Sequence, residues 1–330
     1  MQKLRWGVLS TAKIGREKVI PALQASEHNE VVAICSRNLP SAQASATQLG
    51  IARAYGSYEE LLADPEIDAI YNPLPNHLHV EWSIKALQAG KHVLCEKPLG
   101  LNTADAQRLV DATHAYPHLK VMEAFMYRFH PQWQLAKKLV DEGCIGKIYA
   151  VHSHFSYNNR EPNNIRNKIE WGGGALLDIG CYSVSLSRWL FNEEPAQVLG
   201  QIRPTPGEEV DCLTSAILEF SAGSASFTCA TKIEPVQYAE AIGDEGSIYI
   251  EQPFYTDTSL PLPKLRITRN RVVEEIELPD TNHYSAMGDA FALSVFNDSE
   301  IPTPLTDAIA NMRVVDAIFK SAAERKWINV

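Results

Sequence analysis

The stretch Val93-Leu94-Cys95-Glu96-Lys97-Pro98 decides how the first part of this chain is read. Three apolar residues end abruptly in two opposite charges and a proline. That is the pattern of a buried strand whose carboxyl end meets solvent or a ligand. Open α/β sheets bind ligands outside the carboxyl ends of their strands, so Glu96 and Lys97 stand where such a sheet presents its chemistry. Pro98 fixes its own φ and keeps Lys97 out of the helical region. A solvated loop end fits these six residues equally well, so the flanking sequence has to decide.

Outward from this stretch, segments 4–9, 31–34, 69–71 and 119–123 read as further strands. Helical spacing of apolar residues fills 13–24, 41–49, 58–63, 79–89 and 103–114, with Gly50 and Gly90 as stops and Thr103 as a candidate cap. Alternation of this kind predicts a doubly wound parallel sheet, an α/β Rossmann domain over residues 1–124. The pattern changes after residue 125. Helices are expected at 132–141 and 175–190, and a long strand at 147–157. Seven strand-like segments then follow between 197 and 278, with a loop at 253–263. Strands in succession imply a mostly antiparallel sheet, hence an α+β second domain over 125–330. Two helices close the chain, at 284–297 and 306–325, the last expected to pack back on the first domain. Partial alternation in 213–229 suggests a sheet covered on one face by helices and on the other by a second copy, in a homodimer or homotetramer.

A chain of 330 residues exceeds what one core usually supports, in keeping with two domains. The net charge of −10 argues against nucleic acid or an anionic membrane as partner. No apolar run is long enough to span a bilayer, and the opening residues lack a signal-peptide pattern, so a cytoplasmic protein is expected. The six cysteines show no C-x-x-C and no regular spacing, which points to free thiols and no metal site.

The turn between the first strand and the first helix reads Ser10-Thr11-Ala12-Lys13-Ile14-Gly15. It matches G-x-G-x-x-G with Ser10 and Ala12 in place of the first two glycines and Gly15 kept as the third. A tight turn, close backbone approach to a pyrophosphate and free N–H groups at a helix start are what this motif supplies. NAD sites usually carry an acidic residue at the end of the second strand. Here the sequence is Ile34-Cys35-Ser36-Arg37-Asn38. Ser36 and Arg37 suit a 2′-phosphate, so NADP is the expected cofactor, with NAD as the weaker alternative.

The loop Tyr71-Asn72-Pro73-Leu74-Pro75-Asn76-His77-Leu78-His79 leaves the same sheet edge. His77 and His79 each fit a cap, a surface role or a ligand contact. Later, Gly172-Gly173-Gly174 precedes a helical segment holding Asp178 and Tyr182, four residues apart and hence on one helix face. A carboxylate and a phenol near an ammonium such as Lys97 would make a proton-transfer site, because the positive charge favours the phenolate. An amphipathic helix with a polar edge is the competing reading.

Five segments in this order resemble the glucose–fructose oxidoreductase/inositol dehydrogenase (Gfo/Idh/MocA) family. They are Ser10–Gly15, Pro75-Asn76-His77-Leu78-His79, Ala89 to Pro98, Glu123-Ala124-Phe125-Met126-Tyr127-Arg128-Phe129-His130-Pro131, and Gly172 to Tyr182. The resemblance implies a Rossmann domain followed by a domain with a large open sheet. It implies proton transfer by Lys97 and Tyr182, with Asp178 supporting them or contacting substrate. It places Leu74, Asn76, His79, Glu96, Lys97 and Arg166 toward the cofactor, and Arg128 toward substrate. Tyr182, where other members have histidine, is similar to the sugar and dihydrodiol branch. The function expected is an NADP-dependent oxidoreductase acting on a sugar, polyol or related cyclic alcohol. A trans-dihydrodiol dehydrogenase and a non-catalytic nucleotide-binding regulator are the alternatives.

Overall fold

A computed structural model of the chain describes residues 2–205, 207, 209–256 and 262–330, so residues 257–261 of the expected 253–263 loop lie outside the described residues. The chain divides into two compact units. One is Met1–Met126 with Asn282–Ile309, the other Tyr127–Thr281 with Ala310–Val330.

The first unit is built on β1 (Leu4–Val8), β2 (Asn29–Cys35), β3 (Arg53–Tyr55), β4 (Ala69–Asn72), β5 (His92–Cys95) and β6 (Val121–Glu123). Among the described residues they form a six-stranded parallel sheet in the order β3-β2-β1-β4-β5-β6. This is the doubly wound Rossmann sheet. The edge strand β3 has no counterpart among the segments read from apolar spacing, because its three residues are all half-exposed. Every residue of β4 is buried, as a parallel sheet covered on both faces requires. The register pairs Asn72 with Cys95 and Cys95 with Glu123, so three neighbouring strands end level. The helices are α1 (Ile20–Gln24), α2 (Leu39–Leu49), α3 (Tyr58–Leu62), α4 (Asn76–Gln88) and α5 (Thr103–Thr113). The cap of α5 is Asn102, whose side chain accepts the Asp105 N–H, and not the expected Thr103, which is already helical.

The sequence suggests a division at 124/125 with the last helix returning to the first domain. The element that joins this unit lies in 282–309. The fully buried Trp6 ring needs apolar cover, and Phe291 supplies it at 5.3 Å between centroids. The Trp6 indole N–H needs an acceptor and finds Asn29 Oδ1 at 2.7 Å. The Asn29 amide then donates to Asp289 Oδ1 at 2.9 Å. Buried polar groups must be paired, and this chain of pairings draws 282–309 onto β1 and β2.

The second unit contains α6 (Pro131–Asp141), β7 (Ile148–Asn158), α7 (Cys181–Phe191), β8 (Gln197–Pro204), β9 (Asp211–Glu219), β10 (Ser224–Ala230), β11 (Lys232–Gly243), β12 (Ser247–Ile250), β13 (Lys264–Arg269) and β14 (Val272–Glu277). The short β15 (Ile328–Asn329) ends the chain, after α8 (His283–Phe296) of the first unit and α9 (Leu305–Glu324). Among the described residues this sheet has nine strands, ordered β14-β13-β12-β11-β7-β10-β9-β8-β15, antiparallel except for the β7–β10 pair. One face carries Val151, Phe227 and Ala239, all buried. On the other, Ile217, Val236 and Tyr238 are exposed. From Ala310 onward α9 belongs here. Asn311 donates to the Cys181 carbonyl at 3.1 Å, and Ser321 accepts the Gly200 N–H at 2.9 Å. No helix among the described residues is long and apolar enough to cross a membrane.

Two histidines make the fold sensitive to acid. His92 Nδ1 accepts the Lys120 N–H at 2.9 Å, and His130 Nδ1 accepts the Gln132 N–H at 3.2 Å as the cap of α6. An accepting nitrogen must be unprotonated, and burial pushes both groups down to about 4. The unfolded chain therefore binds more protons than the folded one between about pH 6.5 and pH 4. Stability should fall through that window by up to about 1.4 kcal/mol per pH unit for each histidine. Urea midpoints measured from pH 7 to pH 4 test this. The slope should be shallower in His130→Asn, because asparagine keeps the cap without titrating.

Candidate active site

The nucleotide turn follows β1. Ser10 has φ 81°, the left-handed conformation that the motif's first glycine would adopt without strain. Its hydroxyl accepts the Ala12 N–H at 3.3 Å, which tightens the turn. Residues Gly15–Val19 form a π-type turn that continues into α1, and Arg16 Nε ties back to the Thr11 carbonyl at 2.9 Å. Thr11, Ala12 and Ile14 are half-exposed, and Lys13 is exposed. A backbone turn this tight, opening onto a helix start, fits the pyrophosphate of a dinucleotide. At the end of β2, Ser36 is half-buried and Arg37 is exposed. The nearby Tyr58 phenol is pushed up by burial, and the Arg37 guanidinium pulls it the other way. Tyr58 was not singled out from sequence, because helical spacing alone reads it as a core residue of α3.

The loop after β5 is fixed residue by residue. The Glu96 N–H reaches the Asn72 carbonyl at 3.1 Å, and the Glu96 carboxylate accepts the Tyr71 hydroxyl at 2.6 Å. The Lys97–Pro98 peptide is cis. His79 is buried, with Nδ1 2.8 Å from the Pro98 carbonyl and Nε2 2.6 Å from the Leu74 carbonyl. Burial pushes it down to about 4 against the pull of the two carbonyls, so at neutral pH it carries one N–H. The Leu99 N–H donates to Glu123 Oε1 at 2.7 Å. Asn72, fully buried, accepts the Leu74 N–H and donates to the His79 carbonyl and to Ser83. His79 is thus a strut inside the unit, wedged between the Leu74 loop and the Lys97 loop, with one N–H that serves only one of the two carbonyls at a time. Asn76 begins α4, three residues earlier than apolar spacing suggested.

In the second unit, the segment read as one helix over 175–190 is instead a π-type turn, Leu176–Gly180, followed by α7. Asp178 lies in the first and Tyr182 in the second, so the spacing of 3.6 residues per turn used for their common face does not hold strictly. The turn is anchored by Asp211, whose buried carboxylate accepts the Leu176 N–H at 2.8 Å and the Thr214 hydroxyl at 2.7 Å. Gly174, at φ 114°, passes so close that a Cβ there would collide with Asp211. Asp178 Oδ2 accepts Arg166 Nε at 2.9 Å and the Tyr157 hydroxyl at 2.5 Å. Asp178 raises the Arg166 guanidinium, while burial and Asp178 hold Tyr157 well above its ordinary range, so Tyr157 stays a phenol that donates. An oxygen already holding two donors is an anchor rather than a ready proton acceptor.

Tyr182 is 4% exposed, with its ring among Phe254 at 5.5 Å and Phe155 and Tyr127 at 5.8 Å each. Arg128 is buried beneath this cluster. Its guanidinium donates to Ser185 Oγ at 2.7 Å and lies 5.4 Å from the Trp189 ring, so it braces α7. Sequence reasoning missed the parts played by Tyr157, Asp211 and Glu123. Each acts on a residue 21 to 35 positions away, across strands, and nothing local marks such a pairing.

A dinucleotide turn on a Rossmann sheet, in a chain that also carries a clamped lysine loop and a buried tyrosine next to an anchored carboxylate, is the design of a nicotinamide-dependent oxidoreductase. The oxidoreductase family model with NAD-binding Rossmann fold matches residues 4–124, and the GFO/IDH/MocA C-terminal domain matches 133–249. The chain belongs to the Gfo/Idh/MocA oxidoreductase family. It is 38% identical to D-xylose 1-dehydrogenase (NADP(+)) 2 of Haloferax volcanii over 97% of both chains. To trans-1,2-dihydrobenzene-1,2-diol dehydrogenase of Xenopus tropicalis it is 35% identical over 78% of both. The crystal structure of a 3-ketoreductase from Actinomadura kijaniata in complex with NADP and TDP-benzene is similar with a TM-score of 0.88 and 31% identity, covering 97% of this chain and 98% of that one.

Gly174→Ala should destabilise the protein by about 1–3 kcal/mol, because it adds a Cβ at positive φ against a buried carboxylate. Gly143→Ala, also at positive φ but with open space around it, should cost less. Denaturant titration of the two variants decides. Equal losses would show that backbone strain alone, not Asp211, sets the requirement at 174.

Proposed function

We propose that this protein is an NADP-dependent dehydrogenase or reductase acting on a CH–OH or carbonyl carbon of a sugar, polyol or related cyclic alcohol. The observation that carries the reading is Tyr182, buried in an aromatic nest on the same segment as an Asp178 already ion-paired with Arg166 and hydrogen-bonded by Tyr157. The relatives named above are a D-xylose dehydrogenase, a 3-ketoreductase and a dihydrodiol dehydrogenase, which supports the same class.

Bound NADP would supply the hydride acceptor or donor. The chain's own residues handle the proton. Tyr182 Oη would exchange it with the substrate oxygen, and Lys97 is the second group assigned to the proton, an ammonium that favours the charged form of an oxygen. Asp178 holds Arg166 and Tyr157 in place and keeps the local charge near neutral. The rings of Tyr127, Phe155 and Phe254 fix the phenol and exclude water, which strengthens each electrostatic contact made there. Ser10 to Gly15 would hold the pyrophosphate, and Leu74, Asn76, His79 and Glu96 shape the rest of the cofactor pocket. Ser36 and Arg37 favour the 2′-phosphate, since the end of β2 offers a hydroxyl and a guanidinium and no carboxylate.

The dihydrodiol reading keeps the same chemistry. The aromatic cluster around Tyr182 favours it, because a flat, apolar ring suits such walls. Pairing of copies through the sheet face that bears Ile217, Val236 and Tyr238 belongs to the same proposal, and sedimentation of Ile217→Glu beside the parent tests it.

A screen of aldoses, cyclic polyols and dihydrodiols, followed by NADPH absorbance in both directions and repeated with NAD, tests the function. Tyr182→Phe and Lys97→Met should each lower kcat by about 10²–10⁴. Parental rates in either would remove it from the proton-handling role. Arg37→Ala should weaken NADP binding by about 1.5–3 kcal/mol, the worth of a charge-assisted hydrogen bond, and leave NAD nearly unchanged. An unaltered ratio of the two affinities would break the cofactor assignment.

A further inference from the structure

The three residues flanking Lys97 along the loop are each held by a side chain from a different element of the first unit. Tyr71 of β4 holds Glu96, His79 of α4 packs its ring against the Pro98 carbonyl, and Glu123 of β6 holds the Leu99 N–H. Glu123 is the least expected of the three. It is 3% exposed and closes a strand, and its carboxylate reaches back to a backbone N–H 24 residues away at 2.7 Å. The Leu99 side chain is itself fully buried. Burying a carboxylate costs several kcal/mol unless the surroundings answer it, and the Leu99 N–H is one of the groups that answer it here.

From this geometry we infer that Glu123 is a positioning residue for the reaction, setting the backbone from which Lys97 projects. The inference rests on the proposed role of Lys97. Lysine is a compact charge on a flexible four-carbon stem, so where its ammonium can reach depends on the backbone at its base. The level register of β4, β5 and β6 brings Asn72, Cys95 and Glu123 side by side. The Ala124 N–H also bonds the Cys95 carbonyl at 2.8 Å, so the chain on both sides of the Glu123 side chain is tied to β5. The clamp is therefore rigid at its root, which is what a supporting group needs if it is to hold a catalytic one within a fraction of an ångström.

Two conservative variants separate position from charge. Glu123→Gln keeps an acceptor oxygen at the same reach and removes the charge. Glu123→Asp keeps the charge and withdraws the oxygen by one methylene. Positioning predicts that Glu123→Asp loses about 10- to 100-fold in kcat while Glu123→Gln keeps most of it, with the NADPH dissociation constant close to the parent's in both. The second readout is pH-dependent labelling of the Lys97 amine by acetic anhydride, read by mass spectrometry against the exposed Lys138. The Lys97 labelling curve should shift in Glu123→Asp and stay near the parent's in Glu123→Gln. The reverse order of the two variants, or parental kcat and labelling in Glu123→Asp, overturns the inference. So does loss of the folded state in both, since a group that only aims one lysine is not needed for folding. Labelling needs no turnover. If the parent reduces or oxidises nothing in the screen, the proposed function fails while the labelling result still decides the role of Glu123.

Discussion

A parallel sheet leaves one edge where strand ends point the same way and their last backbone groups have no neighbour. The first unit depends on how that edge is finished. Asn72, Cys95 and Glu123 end level. The groups that complete them are side chains: Tyr71 on Glu96, Asn72 on the Leu74 loop, His79 between two carbonyls with one N–H to give, and Glu123 on Leu99. Each satisfies a polar group that would otherwise be stranded away from water. Together they turn a sheet edge into a fixed seat for Lys97.

The second unit solves a related problem with charge. A helix start carrying Asp178 and Tyr182 must lie close to neighbouring backbone, and Gly174 allows that approach because Asp211 occupies the space a side chain would need. Asp178 is then buried, and an isolated carboxylate there would be costly. Arg166 and the Tyr157 phenol share one of its oxygens, which answers the charge and fixes the side chain. Buried Arg128 is held in the same manner by Ser185 and Trp189, so the helix bearing Tyr182 is braced at two depths. Both segments that lead into a site helix, Gly15–Val19 and Leu176–Gly180, widen into a π-type turn, a feature that recurs at functional sites.

Much of the architecture was legible in the sequence because it rests on period and punctuation. Apolar runs with Gly50 and Gly90 behind helical spacing implied the parallel sheet, and successive strand-like segments after 195 implied the antiparallel one. What the sequence left open has one cause. Thr103 and its neighbour Asn102 both suit a cap, and only backbone angles distinguish the cap, Asn102, from the first helical residue. The partners of Trp6 and Asn29 in 282–309 are likewise set by distant contacts that chain order does not show. The π-type turns leave no mark in apolar spacing.

By itself the sequence determined the two kinds of sheet and the acid-free end of β2, and it singled out the turn at Ser10–Gly15 and Lys97, Asp178 and Tyr182 as candidates for chemistry. These follow from residue type at short spacing, where covalent geometry limits what neighbours do. Only the tertiary structure decided that His79 is a buried strut, that Asp178 is an anchored charge, that Arg128 braces a helix, and that Tyr157, Asp211 and Glu123 hold the others in place. Those roles depend on which distant side chain fills a given hydrogen-bonding vacancy. The choice is made by strand register and burial, and neither is written in any local stretch of the chain.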